Sequence, residues 1–226
     1  MAASLIVFDL DGTLIDSAAD LAAAVNLMLA RFGAQPLALA EVRRMIGDGP
    51  SALVAGALAA RGREGVDPTE AHRMFLELYA AEATVRTSAY PGVRAALEAL
   101  GAASIPLAVC TNKPARLTEA ILGALGLADY FARVMGGDSL PWRKPDPRVL
   151  LSVLADFEAA PASALMVGDS EVDAATASAA GVPLVLMKHG YHRGPIEAIR
   201  CLAALEGFDE LPRLALGGAP ERGQLS

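Results

Sequence analysis

Residues 5–14 read LIVFDLDGTL, a short apolar run that ends at two aspartates, Asp9 and Asp11, before Gly12 and Thr13. In an extended chain, residues two positions apart point to the same side, so both carboxylates lie together at the end of a predicted strand. Gly12 then lets the chain turn directly after them. Neighbouring carboxylates are typical ligands of a hard divalent cation such as Mg2+. A structural strand before an aspartate-rich turn gives the same pattern, so the rest of the chain must decide between the two interpretations.

Further short apolar runs follow the first, and helix-like segments separate most of them. Including the first, the runs are residues 5–8, 105–110, 133–135, 164–167 and 182–187. Alternating strands and helices are typical of a mainly parallel sheet with helices on both faces. We therefore predict an α/β fold whose core is a Rossmann-like, doubly wound sheet.

One interval, residues 16–87, interrupts this alternation. Its amphipathic helical stretches are residues 18–32, 51–61 and 69–84, and we find no convincing strand between them. We predict that residues 16–87 are an inserted helical domain and that residues 1–15 and 88–216 form the α/β core. Asp16 or Ser17 is positioned to cap the first of these helices.

The composition limits the possible partners. The chain has 226 residues with 26 acidic and 19 basic side chains, a net charge of -7, and no long cationic block, which argues against a nucleic-acid or anionic-membrane surface. Apolar segments are interrupted before the roughly 18 residues that a membrane span needs. The N-terminus lacks signal-peptide features, and Cys110 and Cys201 form no metal or disulfide pattern, so we expect a cytoplasmic protein. Residues 217–226 are rich in Gly, Pro and polar side chains, which predicts a flexible tail.

Polar residues follow the second long apolar run as they follow the first. Thr111 and Asn112 come directly after Cys110, and Pro114 is typical of the first turn of a helix. Ligands of open parallel sheets gather beyond the carboxyl ends of the strands, where a hydroxyl, an amide and free helix N–H groups suit a phosphate. An ordinary helix cap accounts for the same residues when they are taken alone.

Two more strand-end elements complete the pattern. Asp169 follows the run 164–167, and Asp173 lies one helical turn later on the same face. Acidic residues are common at helix starts, but with Asp9 and Asp11 these would place four carboxylates at one sheet edge, where a cation must offset their repulsion. Lys144, just before a proline, offers a positive charge to the same edge, although a lone lysine there is usually solvated.

These residues, in this order, resemble the four signature motifs of the haloacid dehalogenase superfamily. The motifs are Asp9 to Thr13, Thr111 with Asn112, Lys144, and Gly168 to Asp173. The helical insertion stands where that family has its small helical cap. More narrowly, the chain resembles the phosphoglycolate phosphatase branch at Tyr90 to Val93, Thr111 to Pro114, Gly136 to Asp138, Lys144 to Pro147, and Gly190 with Tyr191.

The resemblance implies a Mg2+-dependent phosphomonoesterase that forms an aspartyl-phosphate. Asp9 would be the nucleophile and Asp11 the general acid and base. Mg2+ would be held by the Asp9 side chain, the backbone carbonyl of Asp11 and the Asp169 side chain, with Gly12, Thr13 and Asp173 in support. Thr111, the Asn112 backbone amide and Lys144 would bind the phosphoryl oxygens.

The cap selects the substrate in this family, and the loop from Arg43 to Pro50 is the predicted specificity loop. Its candidate residues are Arg44, Gly47, Asp48 and Gly49. An arginine of the loop could pair with the carboxylate of 2-phosphoglycolate, although solvated arginines in an exposed turn fit the sequence as well. Asp11 with Gly12 argues against a dehalogenase, and the absence of lysine from residues 16–87 argues against a Schiff-base phosphonate hydrolase.

Several alternatives stay open from the sequence. Phosphatases for a sugar phosphate, a nucleotide or pyrophosphate, and sugar phosphomutases, share the same catalytic residues. A non-catalytic protein that binds a phosphorylated ligand or a partner is an alternative of another class. We expect the partner to be a small phosphorylated metabolite and the protein to be a monomer or a homodimer.

Overall fold

The computed structural model describes residues 2–218. The strands in that range are Leu5–Phe8 (β1), Ile15–Asp16 (β2), Ser88–Ala89 (β3), Leu107–Cys110 (β4), Arg133–Met135 (β5), Ala164–Gly168 (β6), Leu184–Met187 (β7) and Ala203–Leu205 (β8). The α-helices are Ala18–Arg31 (α1), Leu39–Arg43 (α2), Pro50–Ala59 (α3), Pro68–Glu82 (α4), Val93–Ala102 (α5), Ala115–Ala124 (α6), Pro147–Asp156 (α7), Glu171–Ala180 (α8) and Leu211–Ala215 (α9).

Six of these strands form one parallel sheet in the order β5-β4-β1-β6-β7-β8. The strand order grows outward from β1 in both directions, so the α/β, Rossmann-like, doubly wound fold predicted from the sequence is confirmed. Phe8 pairs with Val109 on one side and with Val167 on the other. The chain segments that follow these three strands therefore leave the sheet at the same edge.

Burial on both faces explains why β1 reads as a continuous apolar run. Ile6 and Phe8 belong to a core cluster that includes residues of α5 and α6, whereas Leu5 and Val7 belong to a second cluster with residues of α7 and α8. Alternate side chains of one strand thus pack under helices on opposite faces, as parallel sheets require.

Helices α1 to α4 lie between the two members of a small antiparallel pair, β2 and β3. We propose that residues 16–87 form the cap of the α/β core, as the sequence predicted. The helical stretches predicted at 18–32, 51–61 and 69–84 correspond to α1, α3 and α4. The pair β2 and β3 and the five-residue helix α2 were missed, because elements this short show no readable periodicity.

Asp20 joins the two chain connections of the cap. It is fully buried at the start of α1 and accepts hydrogen bonds from the backbone N–H groups of Arg86 and Thr87, at 2.9 and 2.8 Å, and from both of their side chains. Burial would raise the pKa of this carboxyl, but the hydrogen bonds from Arg86 and Thr87 outweigh burial and hold the pKa below its ordinary value. Asp20 therefore ties the chain entering the cap to the chain leaving it.

Contacts that the sequence did not predict form at the start of α1 and after α9. Of the two predicted cap residues, Ser17 makes no side-chain capping bond, but Asp16 Oδ1 accepts from the Ala18 N–H at 3.2 Å. The Tyr191 hydroxyl also accepts from the N–H groups of Ser17 and Ala18. Gly217 and Gly218 close the last turn of α9 through their N–H groups, and the rest of the predicted tail lies outside the described residues. Between residues 2 and 218, no helix combines the length and apolar character needed to cross a membrane.

Candidate active site

Three buried carboxylates converge at the carboxyl edge of the sheet. Asp9 follows β1, Asp169 follows β6, and Asp173 lies in the first turn of α8. Each contributes an oxygen, and these three oxygens lie within 4.8 Å of one another. The cluster includes Asp173, which was expected only to support the metal site. It does not include the Asp11 carboxylate, which pairs with Lys113 instead; Asp11 was expected to bind the metal through its backbone carbonyl.

Two glycines make room for the Asp169 side chain. Gly12 has a φ of 89°, and a Cβ there would lie 2.3 Å from Asp169 Oδ2. A Cβ on Gly190 would lie 2.1 Å from the Cβ of Asp169. Any larger residue at either position would displace the carboxylate, so Gly12 supports the cluster through both its backbone conformation and its lack of a side chain.

Asp169 and Asp173 are oriented by different sets of donors. The Thr13 hydroxyl and the Tyr191 backbone N–H each donate to Asp169, both at 2.6 Å. Lys144 Nζ donates to Asp173 Oδ1 at 2.6 Å, while the Ser170 hydroxyl donates to its other oxygen at 2.7 Å. Asp173 is thus paired with a lysine, whereas the two donors to Asp169 are uncharged and Asp169 lies close to two other carboxylates.

Burial and the neighbouring charges raise the pKa values of Asp9 and Asp169. Burial, opposed by the charge of Lys144 and reinforced by that of Asp173, raises the pKa of Asp9 to about 6. The pKa of Asp169 is well above its ordinary value because of burial and then the charges of Asp173 and Asp9. Burial would lower the pKa of Lys144, but Asp173 and Asp9 outweigh it and raise that pKa. One lysine therefore does not balance three carboxylates.

The cluster fits a hard cation. Asp9 Oδ1 is buried and lies 2.8 Å from Lys144 Nζ, but among the described residues it has no partner at hydrogen-bonding angles. A buried oxygen without such a partner, next to two other carboxylates, is a suitable ligand for a divalent ion with oxygen preference. The donor set therefore supports a metal site at this edge.

The Asp11 carboxylate faces the cap side of the site. Lys113 Nζ donates to both of its oxygens, at 2.9 and 2.8 Å, and the Ser17 hydroxyl donates to one of them. Lys113 is buried, and its Nζ lies 4.6 Å from the centroid of the Tyr79 ring of α4. Neither Lys113 nor Tyr79 was predicted to have a role in the site. The only available signal for Lys113 was its place directly after the strand-end pair.

Thr111 and Asn112 lie buried beside Asp9. A small cavity runs between them and the cap loop and is lined by Asp9, Asp11, Gly47, Gly49, Thr111, Asn112 and Lys113. The Asn112 side-chain amide donates to the Gly47 carbonyl of the cap and to the Lys144 carbonyl of the core, both at 2.9 Å. Asn112 therefore fixes the cap loop against the strand ends, a contact that the sequence did not predict.

Arg193, which follows β7, holds the predicted specificity loop from outside. Its guanidinium donates to the backbone carbonyls of Arg44 and Ile46 and pairs with the Asp48 carboxylate. Arg44 itself is exposed and does not line the cavity beside Asp9. Arg43 stacks on the Tyr191 ring, 4.9 Å from its centroid. Only the glycines of the predicted set face the site.

Tyr191 connects the acidic cluster to the cap. Its backbone N–H holds Asp169, and its hydroxyl donates to Asp16 at 2.7 Å while accepting from the first N–H groups of α1. Tyr191 belongs to the predicted resemblance, but no role in the site was predicted for it.

Comparison with known proteins identifies close relatives. Residues 6–187 match the family model described as haloacid dehalogenase-like hydrolase. Phosphoglycolate phosphatase from Cereibacter sphaeroides (strain ATCC 17025) is 44% identical over 211 residues, which cover 92% of this chain and 96% of the relative. Phosphoglycolate phosphatase from Rhodospirillum rubrum is 46% identical over 212 residues, which cover 91% of this chain and 88% of the relative.

A solved structure shows the same architecture. The crystal structure of a predicted phosphoglycolate phosphatase from Haemophilus somnus 129pt superimposes with a TM-score of 0.90 at 32% sequence identity. The match covers 94% of this chain and 97% of that one. Agreement over nearly the whole length means that the sheet and the helices of residues 16–87 are both shared.

Proposed function

The chain belongs to the haloacid dehalogenase-like hydrolases, and on that premise we propose that it is a Mg2+-dependent phosphomonoesterase that forms an aspartyl-phosphate on Asp9. The observation that carries this proposal is the buried group of Asp9, Asp169 and Asp173, in which one lysine faces three carboxylates. Such a site costs stability and is typical of function rather than of packing.

Asp9 and Asp169 would hold Mg2+ through their side chains, and Asp11 through its backbone carbonyl. The ion would supply positive charge that lets an anionic nucleophile approach an anionic ester. Lys144 pairs with Asp173 and lies 2.8 Å from Asp9. We therefore expect it to hold Asp9 in position and to stabilise the negative charge of the phosphoryl oxygens. Thr13 and Gly12 support the site by orienting Asp169 and making room for it.

The two chemical steps use Asp9 and Asp11. In the first, an Asp9 oxygen attacks phosphorus, the bond to the leaving oxygen breaks, and Asp11 gives that oxygen a proton. In the second, Asp11 takes a proton from water as the water attacks the aspartyl-phosphate, releasing phosphate and restoring Asp9. The Thr111 hydroxyl, the Asn112 backbone amide and Lys144 bind the phosphoryl oxygens throughout.

We propose 2-phosphoglycolate, or a similarly small phosphate ester, as the substrate. The names of the two relatives support it, and so does the limited space that the cap loop leaves above Asp9. The proposed setting is the cytoplasm, with a small phosphorylated metabolite as partner, no nucleic-acid partner, and a monomer or homodimer as the working form.

A substrate panel tests this function. Specificity constants are measured with Mg2+ for 2-phosphoglycolate, a sugar phosphate, a nucleotide, pyrophosphate and a simple alkyl phosphate, with EDTA as the control. We expect metal-dependent phosphate release that is fastest with 2-phosphoglycolate. Equal rates on all esters would refute the substrate assignment, and a sugar phosphate converted to its isomer would favour a phosphomutase. Absence of phosphate release from every ester would favour the non-catalytic alternative.

A further inference from the structure

A second cavity lies on the cap side of the site. Apart from the residues that it shares with the first cavity, it is lined by Leu21, Ile46, Pro50, Leu53, Phe75 and Tyr79. Asp11, Gly47, Gly49 and Lys113 also line the cavity that contains Asp9 and Thr111. The two spaces are therefore adjacent, and a phosphoryl group at Asp9 would direct its leaving group past Asp11 into the second cavity.

The wall of this second cavity is mostly apolar, with two exceptions that can donate hydrogen bonds. The Tyr79 side chain is 2% exposed; Lys113 interacts with its hydroxyl oxygen, but the hydroxyl hydrogen has no acceptor among the described residues. Burial raises the pKa of Tyr79 to about 12, so the hydroxyl keeps its proton and acts as a donor at neutral pH. A buried donor without a partner is costly, which indicates that a ligand completes it.

Lys113 is the second donor. An ammonium group has three N–H bonds, and the two oxygens of Asp11 account for two of them. The Nζ atom lies over the Tyr79 ring and interacts with the Tyr79 hydroxyl, so the two polar groups lie side by side in the cavity wall.

We propose that Lys113 and Tyr79 form a carboxylate subsite that binds the acidic end of a short leaving group. This inference rests on the proposed function and assigns its substrate class: phosphate esters of small hydroxy acids. It replaces the arginine expected from the sequence, since Arg44 is exposed and Arg43 stacks on Tyr191. The apolar wall of Leu21, Leu53 and Phe75 would surround the short carbon chain and exclude polyhydroxylated groups.

The test compares two esters that differ only in charge: 2-phosphoglycolate and its carboxamide analogue. The measured quantity is the ratio of their kcat/KM values with Mg2+ present. We expect Tyr79→Phe to lower this ratio about tenfold, mainly through KM for the acid, because a hydrogen bond to a charged group is lost. We expect Lys113→Met to lower it further, and Lys113→Arg to restore part of it.

Tyr90→Phe is the matched control. The Tyr90 hydroxyl is also buried without a hydrogen-bond partner at the required angles, but Tyr90 lines neither cavity. We expect this variant to keep the wild-type ratio. An unchanged ratio in Tyr79→Phe, or an equal fall in Tyr90→Phe, would overturn the subsite.

Glycolate binding separates this inference from the proposed function. Glycolate and glycolamide are titrated calorimetrically against the full chain with Mg2+ present, and against Tyr79→Phe. We expect the wild type to prefer glycolate and the variant to lose at least most of that preference. Equal binding of glycolate by both proteins overturns the subsite even if the enzyme hydrolyses phosphate esters. Selective binding by the wild type alone supports the subsite even if no ester is hydrolysed.

Discussion

Asp20 at the cap connection and Asp169 in the acidic cluster are both buried aspartates, but their surroundings have opposite effects. Asp20 accepts hydrogen bonds from two backbone and two side-chain groups of Arg86 and Thr87, which hold its pKa low. Asp169 accepts from Thr13 and Tyr191 but faces Asp9 and Asp173, and its pKa is raised. The first environment stabilises the fold, whereas the second crowds carboxylates that could bind a cation, at the expense of stability.

The largest expected effect is on activity at the acidic cluster. Asp9→Asn removes the proposed nucleophile and should lower kcat by at least about 10⁴-fold, because no other group is placed to form the covalent intermediate. Removing one of the crowded charges should not lower the midpoint of thermal unfolding without metal. The control for kcat and for the midpoint of thermal unfolding is Asp129→Asn, which changes an exposed aspartate. Steady-state turnover within tenfold of wild type would remove Asp9 from the nucleophile role.

The next largest effect is on stability at the cap connection. Asp20→Asn places an amide N–H group against donors and should lower the free energy of unfolding by about 3 kcal/mol at pH 7. Because the folded pKa of Asp20 is lowered, its contribution is present above its unfolded pKa and is lost as pH falls through the folded value. The gap between wild type and variant in urea unfolding should therefore narrow towards pH 3.

Asp67→Asn is a matched control for this change. Asp67 accepts a single backbone hydrogen bond at the exposed start of α4. We expect a loss of about 1 kcal/mol or less. If Asp20→Asn lowers the free energy of unfolding no more than Asp67→Asn does, the hydrogen bonds of Asp20 do not stabilise the fold as proposed.

The third prediction concerns a buried aspartate whose replacement should not lower the free energy of unfolding, in contrast to Asp20→Asn. Asp169→Asn removes a charge that the metal-free protein does not balance, so its unfolding free energy without metal should equal or exceed that of wild type. Mg2+ at 100 times its dissociation constant should then stabilise wild type by about 2.7 kcal/mol and the variant far less. Thermal unfolding with and without Mg2+ measures both terms. Equal stabilisation of the two proteins by Mg2+ would place the ion elsewhere.

The smallest effect is expected for an aspartate that is neither buried nor crowded. Asp48 pairs with Arg193 on the cap loop, and the two side chains are 39% and 40% exposed. Asp48→Asn should change the unfolding free energy by less than about 1 kcal/mol, since solvent screens such pairs. A shift in KM without a shift in stability would show that Arg193 acts on loop position, whereas a stability loss as large as that at Asp20 would contradict this ranking.

Residues at strand ends were predictable from the sequence, and residues that meet across the cap were not. Asp9, Thr111 and Asp169 could be grouped because parallel strands bring their carboxyl ends to one edge. Lys113 and Tyr79 are far apart in the chain and meet only through the packing of α4, which local patterns do not encode. Asp20 and its partners were missed for the same reason, since a satisfied buried aspartate leaves no mark in the sequence.

Tyr191 has a mechanical consequence for the whole molecule. Its backbone steadies a proposed metal ligand, and its hydroxyl rests on the first turn of the first cap helix. A rotation of α1 would therefore move Tyr191, the residue whose backbone N–H holds Asp169. The position of the proposed metal ligand Asp169 and the orientation of the cap are thus coupled through one tyrosine.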